Sequence, residues 1–140
     1  MVGLTAAALG AEVVLTDLSV YIPAVLQNIQ ANQDISGKVS AEALDWKGEV
    51  PPGLKGTADV VIVCDCIYYE ASLQPLIDTI LSLTKEDTSI ILAYEKRPDK
   101  LELYGEFFSV LYKHFSSREI LRVTAASSNE IYLLELTLLE

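Results

Sequence analysis

The sequence has 140 residues, 51% of them hydrophobic, and a formal net charge of −10 at pH 7. This length and composition exclude a disordered chain and predict one domain, residues 1–140. The acidic balance argues against a nucleic-acid partner, and no apolar run reaches the ~18 residues of a membrane span. We therefore predict a soluble, cytoplasmic protein without a membrane partner.

The first half of the chain alternates predicted helices and strands. Gly10 ends an alanine-rich helix, because glycine readily adopts the left-handed conformation that follows a helix. Pro23 suits the first turn of a second helix, whose apolar side chains have helical spacing. The predicted elements are helix Val2–Leu9, strand Glu12–Thr16, the helix from Pro23, a break at Asn32–Gly37, strand Val39–Trp46 and loop Glu49–Thr57.

The second half holds the most apolar strands. The uninterrupted run VVIVC at Val60–Cys64 predicts a strand buried on both faces, with buried reduced thiols at Cys64 and Cys66. Ser72 is a candidate N-cap for the helix that follows. The further predicted elements are helix Ser72–Leu83, strand Ser89–Tyr94, an amphipathic helix from Leu101 to Phe115, and strands Glu119–Val123 and Ile131–Leu138 around a Ser/Asn-rich turn.

Helices that alternate with apolar strands predict an α/β fold, with a mostly parallel sheet and helices on both faces. The last two strands are expected to pair as an antiparallel edge. Two cysteines and one histidine supply no cluster of metal ligands, so no metal site is predicted. His114 is interpreted as a residue near the end of the amphipathic helix, where the helix dipole favours it.

Three carboxylates follow successive predicted strands, at Asp17, Asp45 and Asp65. Ligands of open α/β sheets bind beyond the carboxyl ends of the strands, so these positions are candidates for a site. Asp17 is suited to accept hydrogen bonds from ribose hydroxyls, and Asp45 beside Trp46 is suited to flank an adenine. Asp17 alone is equally consistent with capping of its loop, and a lone Trp is more often a packing residue.

Two further polar groups lie near predicted strand ends. Tyr68 and Tyr69 follow the VVIVC strand, where a buried strand leaves its sheet. Glu95, Lys96 and Arg97 follow the later apolar strand. We interpret these three charged residues as a solvated loop, with the rim of a site as the alternative.

Four passages together resemble the class I, seven-strand S-adenosylmethionine-dependent methyltransferases. They are VGLTAAALGAEVVLTDL from Val2, LDW from Leu44, DCIYYEASLQPL from Asp65 and YEKR from Tyr94. The D-x-x-Y signature at Asp65–Tyr68 is similar to that of the small protein-lysine methyltransferases, above all those that methylate valosin-containing protein. The resemblance implies a Rossmann-like methyltransferase sheet.

The chain departs from this family pattern at its start. The family has a strand and a glycine-rich E-x-G-x-G-x-G loop ahead of the helix that begins near Val2. Here Met1 stands where that loop should be ending, and Gly3 alone remains of it. The resemblance therefore implies an N-terminally truncated domain that lacks the first, central strand, with two hydrophobic inner strand edges left unpaired.

The resemblance also implies roles for particular residues. S-adenosyl-L-methionine is the expected cofactor, and a protein that presents a lysine, a valosin-type ATPase or a chaperone, is the expected substrate and partner. Asp65 and Tyr68 are the implied catalytic residues. The implied cofactor-binding residues are Gly3, Asp17, Leu18, Asp45, Trp46 and Asp65.

Other functions are open at this point. A chain without the glycine-rich loop is also consistent with a catalytically inactive protein-binding module. A nicotinamide-dependent dehydrogenase shares the early order of strand, helix and strand, but the D-x-x-Y passage and the closing antiparallel pair favour a methyltransferase. Within that class, methylation of a small molecule or of another side chain is a further alternative.

Overall fold

The computed structural model describes residues 1–34, 38–126 and 129–139. In these residues the chain forms two compact units, Met1–Glu49 and Val50–Glu140, and each has a sheet of its own. The expectation of one domain stays a prediction. Residues 35–37 and 127–128, which hold part of the predicted break and of the predicted Ser/Asn-rich turn, lie outside the described residues. No helix in the described part of the chain is long and apolar enough to cross a membrane.

The first unit alternates helices with two parallel strands. Gly10 follows the first helix with a φ of 97°, a conformation that favours glycine. Pro23 lies in the first turn of the second helix, as predicted. The strands pair in parallel along their whole length. The elements are α1 (Val2–Ala8), β1 (Val13–Asp17), α2 (Ile22–Gln30) and β2 (Val39–Ala43), with a 3-10 turn at Ser19–Tyr21.

β2 is shorter than the predicted strand Val39–Trp46. It ends at Ala43, because Asp45 forms a turn with the residues that follow it. The Asp45 carboxylate accepts a hydrogen bond from the Lys47 N–H at 2.9 Å, and its carbonyl accepts one from the Gly48 N–H at 2.9 Å. Bonds from a side chain to nearby backbone compete with strand pairing, so the LDW passage lies beyond the strand.

The second unit contains a four-stranded mixed sheet. The strand order is β3-β4-β6-β5, with β3 and β4 parallel and the other neighbouring pairs antiparallel. The predicted α/β fold with a closing antiparallel strand pair is confirmed. The elements are β3 (Val60–Cys64), α3 (Leu73–Leu83), β4 (Ser89–Lys96), α4 (Leu101–Leu111), β5 (Phe115–Thr124) and β6 (Glu130–Leu138), with 3-10 turns at Glu70–Ser72 and Pro98–Lys100.

Several details of this unit differ from the predictions. α4 ends at Leu111, and Phe115 begins β5 instead of ending the helix. His114 therefore lies in the connecting turn, where its N–H donates to the Leu111 carbonyl at 3.0 Å. β4 continues to Lys96, and Ser72 precedes α3 without a capping hydrogen bond from its side chain.

The core of the second unit joins one face of its sheet to its helices. Leu92 of β4 and Leu136 of β6 lie on the same face of the sheet and are fully buried. Phe107 and Leu111 of α4 are fully buried as well. Burial of each such side chain contributes about 1.5–3 kcal/mol relative to exposure, which stabilises the sheet of the second unit.

β3 has the predicted bounds but not the predicted burial. Alternate residues are buried, whereas Val60 and Ile62 on the other face are 53% and 43% exposed. Among the described residues β3 pairs with β4 alone, so it is an edge strand of its sheet. Cys64 is exposed on this open face and Cys66 is only partly buried, which corrects the prediction of buried thiols; neither of these two described cysteines forms a disulfide bond.

Candidate active site

Two of the predicted site residues lie at one edge of the first unit's sheet. Asp17 ends β1, and the parallel register places it opposite Ala43, the last residue of β2. The Leu44 N–H donates to the Asp17 carbonyl at 2.8 Å, which continues the pairing beyond the strand. Asp45 follows directly. Both carboxylates therefore lie at the carboxyl edge of this sheet, where ligands of open α/β sheets bind.

Each of these carboxylates also binds the backbone of its own loop. Asp17 Oδ1 accepts a hydrogen bond from the Leu18 N–H at 2.8 Å, and Asp45 Oδ1 accepts one from the Lys47 N–H at 2.9 Å. Each bond uses one carboxylate oxygen and restricts the side-chain rotamer. Trp46, next to Asp45, is partly buried. The structure thus shows the capping role of both acids, and the ribose and adenine roles stay predictions.

Gly3 lies in α1, where the helix packs against β1. A Cβ atom at this position would clash with the Leu15 side chain and would lie 3.4 Å from Val13 Cγ1. The missing side chain therefore allows a close approach of helix and strand. This packing accounts for the glycine, and a cofactor contact at Gly3 stays a prediction.

Asp65 follows β3 in the second unit and has an uncommon backbone conformation. Its φ of 52° lies in the left-handed region, which Asp enters more readily than most residues but at a cost of the order of 1 kcal/mol. Its N–H donates to the Ala93 carbonyl at 2.8 Å, so the parallel pairing with β4 persists to this residue. The side chain is 56% exposed, which leaves the carboxylate accessible to a ligand.

Arg97 connects Asp65 to a second carboxylate. Arg97 Nη2 lies 3.1 Å from Asp65 Oδ2, and Arg97 Nε lies 3.3 Å from Glu95 Oε2. Glu95 Oε1 accepts a further hydrogen bond from Asn129 Nδ2 at 3.0 Å. The charge of Asp65 and the hydrogen bond to Glu95 raise the pKa of the Arg97 guanidinium above its ordinary value. Glu95 and Arg97 are therefore not the solvated loop that the sequence predicted.

Tyr68, the last residue of the D-x-x-Y signature, lies between β3 and α3. Ile67 before it is 4% exposed and anchors this segment in the core, while Tyr68 is 41% exposed. The rings of Tyr68 and Tyr69 meet edge to face, with centroids 5.3 Å apart. Asp65 and Tyr68 are thus held on one short segment by a buried residue between them.

An open groove of about 290 Å³ lies between α4 and the end of β4. Tyr104 joins this groove to the Arg97 network, because its hydroxyl donates to the Glu95 carbonyl at 2.8 Å. Burial, followed by the proximity of Tyr132, raises the pKa of Tyr94 to about 12, so this phenol is neutral at physiological pH. The groove is lined by Tyr94, Lys96, Leu101, Tyr104, Gly105 and Phe108.

The predicted site residues fall into two groups, one in each unit. Asp65 and Tyr68 share the second unit with Arg97, which the sequence placed at the rim of a site only as the alternative to a solvated loop. The sequence feature that points to Arg97 is its pairing with Glu95, an opposite charge two residues earlier at the end of an apolar strand. No group of three or more His, Cys, Asp or Glu side chains in the described residues is arranged to hold a metal ion. The group in the first unit, at or directly after its two strand ends, is Asp17, Leu18, Asp45 and Trp46.

The fold of the chain matches that of known methyltransferases. N-methyltransferase NodS from Bradyrhizobium japonicum WM9, solved in complex with S-adenosyl-l-homocysteine, aligns with a TM-score of 0.63 at 14% sequence identity. The match covers 92% of this chain and 67% of that chain. Together with candidate residues at the carboxyl ends of parallel strands, it defines a Rossmann-like methyltransferase fold.

A family model described as lysine methyltransferase matches residues 1–114, and the chain belongs to this family. Protein N-lysine methyltransferase METTL21A of Mus musculus is 28% identical over an alignment of 132 residues that covers 90% of this chain and 61% of that protein. Protein-lysine N-methyltransferase EFM6 of Saccharomyces cerevisiae is 30% identical over 140 residues, covering 91% of this chain and 53% of that protein. The chain thus spans little more than half the length of these relatives.

Proposed function

We propose that this chain transfers a methyl group from S-adenosyl-L-methionine to a lysine side chain of a protein substrate, in the cytoplasm. The observation that carries the proposal is the family match over residues 1–114, which includes the D-x-x-Y signature and both carboxylates of the first unit. The chemistry of these residues fits the cofactor, since carboxylates accept hydrogen bonds from hydroxyl and amino groups. An indole provides a flat face for a purine.

In this proposal the first unit holds the cofactor. Asp17 accepts hydrogen bonds from the ribose hydroxyls, and Leu18 packs beside it. Asp45 accepts a hydrogen bond from the adenine amino group, and Trp46 borders the ring. The loop bonds of Asp17 and Asp45 each use Oδ1, so the carboxylates are held by their own loops while Oδ2 serves a ligand. Gly3 lets α1 approach β1 closely enough to support this edge.

The second unit handles the substrate amine. At pH 7 about one lysine in a few thousand is neutral, given a pKa of ~10.4, so the substrate ammonium must release a proton to solvent before it reacts. Exclusion of water and the positive charge of a bound sulfonium would both lower the pKa of this amine. When bound, S-adenosyl-L-methionine supplies a methyl group on a positively charged sulfur. Asp65 accepts a hydrogen bond from the amine and aligns its lone pair. Tyr68 offers an aromatic face that attracts a cation and excludes water. Most of the acceleration comes from this positioning.

The substrate proposed more narrowly is a valosin-type ATPase or a chaperone. Its support is the likeness of the four passages VGLTAAALGAEVVLTDL, LDW, DCIYYEASLQPL and YEKR to the methyltransferases of valosin-containing protein. The relatives named as protein-lysine methyltransferases support a protein substrate over a small molecule.

The test combines binding and methyl transfer on the purified 140-residue chain. Calorimetry measures the binding of S-adenosylhomocysteine, and a radiolabelled methyl group reports transfer to a purified valosin-type ATPase. Asp65→Ala is expected to lower transfer about 100-fold through lost alignment. Asp59→Ala is the matched control, because Asp59 precedes β3 and pairs with Lys85 instead. Binding without transfer would favour another substrate, and neither binding nor transfer would favour the protein-binding module.

A further inference from the structure

The guanidinium of Arg97 bridges the candidate catalytic carboxylate and a second acid. Its Nη2 and Nε point to Asp65 Oδ2 at 3.1 Å and to Glu95 Oε2 at 3.3 Å. The planar fork of an arginine can serve two carboxylates at once, whereas a lysine provides a single point charge. The bond to Asp65 therefore has a defined direction, because the bond to Glu95 fixes the plane of the fork.

The backbone and partner of Arg97 are themselves held in place. The Arg97 N–H donates to Tyr104 Oη at 3.4 Å, and the same hydroxyl donates to the Glu95 carbonyl at 2.8 Å. Tyr104 is 6% exposed, so this anchor belongs to the core of the unit. Asn129 Nδ2 donates to Glu95 Oε1 at 3.0 Å from the segment before β6. Arg97 thus links the Asp65 carboxylate to α4 through Tyr104 and to β4 through Glu95. Asn129, just before β6, supports the Glu95 side chain.

Asp65 needs such a restraint more than an ordinary surface acid does. Its left-handed φ of 52° disfavours the observed conformation, and its side chain is 56% exposed. The pair of Arg97 with Asp65 belongs to a network with Glu95, and exposed charges in a network hold an orientation better than an isolated surface pair does. Without Arg97, the bond from the Asp65 N–H to the Ala93 carbonyl and the buried Ile67 would still hold the backbone of this segment, but neither contact fixes the Asp65 carboxylate.

We propose that Arg97 is a positioning residue for methyl transfer, which holds the Asp65 carboxylate in the orientation that meets the substrate amine. The expected effect of Arg97 on the rate of methyl transfer rests on the proposed function. The coupling of Arg97 to the segment from Asp65 to Tyr68 is independent of that function, so the two can be tested separately.

The first arm of the test measures motion in the full 140-residue chain. Nitrogen-15 relaxation of the backbone is compared for the parent chain, Arg97→Met and Arg118→Met. Arg118 pairs with Glu135 between β5 and β6 and is the matched control. We expect lower order parameters at Asp65 and Tyr68 in Arg97→Met and unchanged values in Arg118→Met. Unchanged order in Arg97→Met would overturn the proposal.

The second arm measures methyl transfer to a purified valosin-type ATPase. We expect Arg97→Met to lower kcat about as far as Asp65→Asn, with little change in KM, and Arg97→Lys to restore part of the loss. The double variant, with Arg97→Met and Asp65→Asn together, should be no slower than Asp65→Asn alone, because both substitutions remove the same alignment of the substrate amine. An unaltered kcat in Arg97→Met, or fully additive losses, would overturn the proposal. A parent chain without transfer would count against the valosin-type substrate, and the relaxation result alone would then decide the coupling.

Discussion

The two units differ in how much apolar surface they bury. Among the described residues of the first unit, Ala7 and Leu44 are the hydrophobic residues that are almost completely buried, whereas Leu92 and Leu136 of the second unit are at 0% exposure within a much larger core. The proposed cofactor edge therefore belongs to a thinly packed unit, and Asp65 follows a strand of a well-packed one. Segments with few buried contacts open at low free-energy cost, so the elements that carry the two groups of candidate residues should differ in stability.

The largest expected effect comes from the same substitution in a strand of each unit. Leu92→Ala in β4 removes a fully buried side chain and should lower the free energy of unfolding by about 2–5 kcal/mol. Leu15→Ala in β1 removes a partly buried side chain and should cost about 1 kcal/mol. Urea denaturation checks both, with circular dichroism as the signal and Trp46 fluorescence as a reporter of the first unit. Equal losses of unfolding free energy in the two variants would mean that the two units do not differ in packing.

The next effect comes from a ligand that binds the thinly packed unit. At 100 times its Kd, S-adenosylhomocysteine should stabilise the bound form by about 2.7 kcal/mol. We expect amide hydrogen exchange to slow in β1 and β2, since the proposed contacts are with Asp17 and Asp45, while the core of β4 changes little. Hydrogen-exchange mass spectrometry with and without the ligand measures this, and Asp17→Asn should lose most of the protection. Slower exchange confined to the second unit would contradict the cofactor assignment.

The order of elements was predictable because it depends on local pattern. The run Val60–Cys64 has the bounds of β3, and the apolar spacing after Pro23 predicted α2. Burial was not predictable from the same run, because Val60 and Ile62 are exposed through the position of β3 in its sheet. The helix predicted from apolar spacing was also too long, because it ran to Phe115, the first residue of β5. A buried aromatic residue fits the apolar pattern equally well at the end of a helix and at the start of a strand.

The candidate site was predictable where it depends on strand ends and not where it depends on pairing across the fold. Asp17 and Asp65 could be placed at strand ends from sequence, and in the structure Asp17 is the last residue of β1 and Asp65 directly follows β3. Arg97 meets Asp65 only because the register sets Cys64 opposite Ala93, which no local pattern reveals. The left-handed φ of Asp65 likewise has no signature in the residues around it.

A smaller effect is expected at alkaline pH and only in the second unit. Burial raises the pKa of Tyr94 to about 12 from its ordinary value of 10.0. The unfolded chain then loses this proton first, so stability should fall as the pH rises from about 10 to about 12. Urea midpoints across this range should fall less in Tyr94→Phe than in the parent chain. Equal alkaline slopes would show that Tyr94 is not the group responsible.

Acid pH should give the smallest effect and again separate the units. Every ion pair between described residues lies in the second unit, among them Asp59 with Lys85 at 2.7 Å. The hydrogen bond from Lys85, followed by its charge, lowers the pKa of Asp59 below its ordinary value of 3.8. A carboxyl group with a lowered folded-state pKa contributes stability above its unfolded value and loses that contribution as the pH falls through the folded value.

The second unit should therefore weaken slightly below pH 3.8, where the unfolded chain has begun to take up the proton that Asp59 resists in the folded state. Asp59→Asn should flatten this acid slope in urea midpoints. Asp34→Asn in the first unit should leave it unchanged, because no described residue there forms an ion pair. If the acid slope of the urea midpoints changed equally in both variants, the loss of stability at low pH would follow net charge. The pair of Asp59 with Lys85 would then not be its cause.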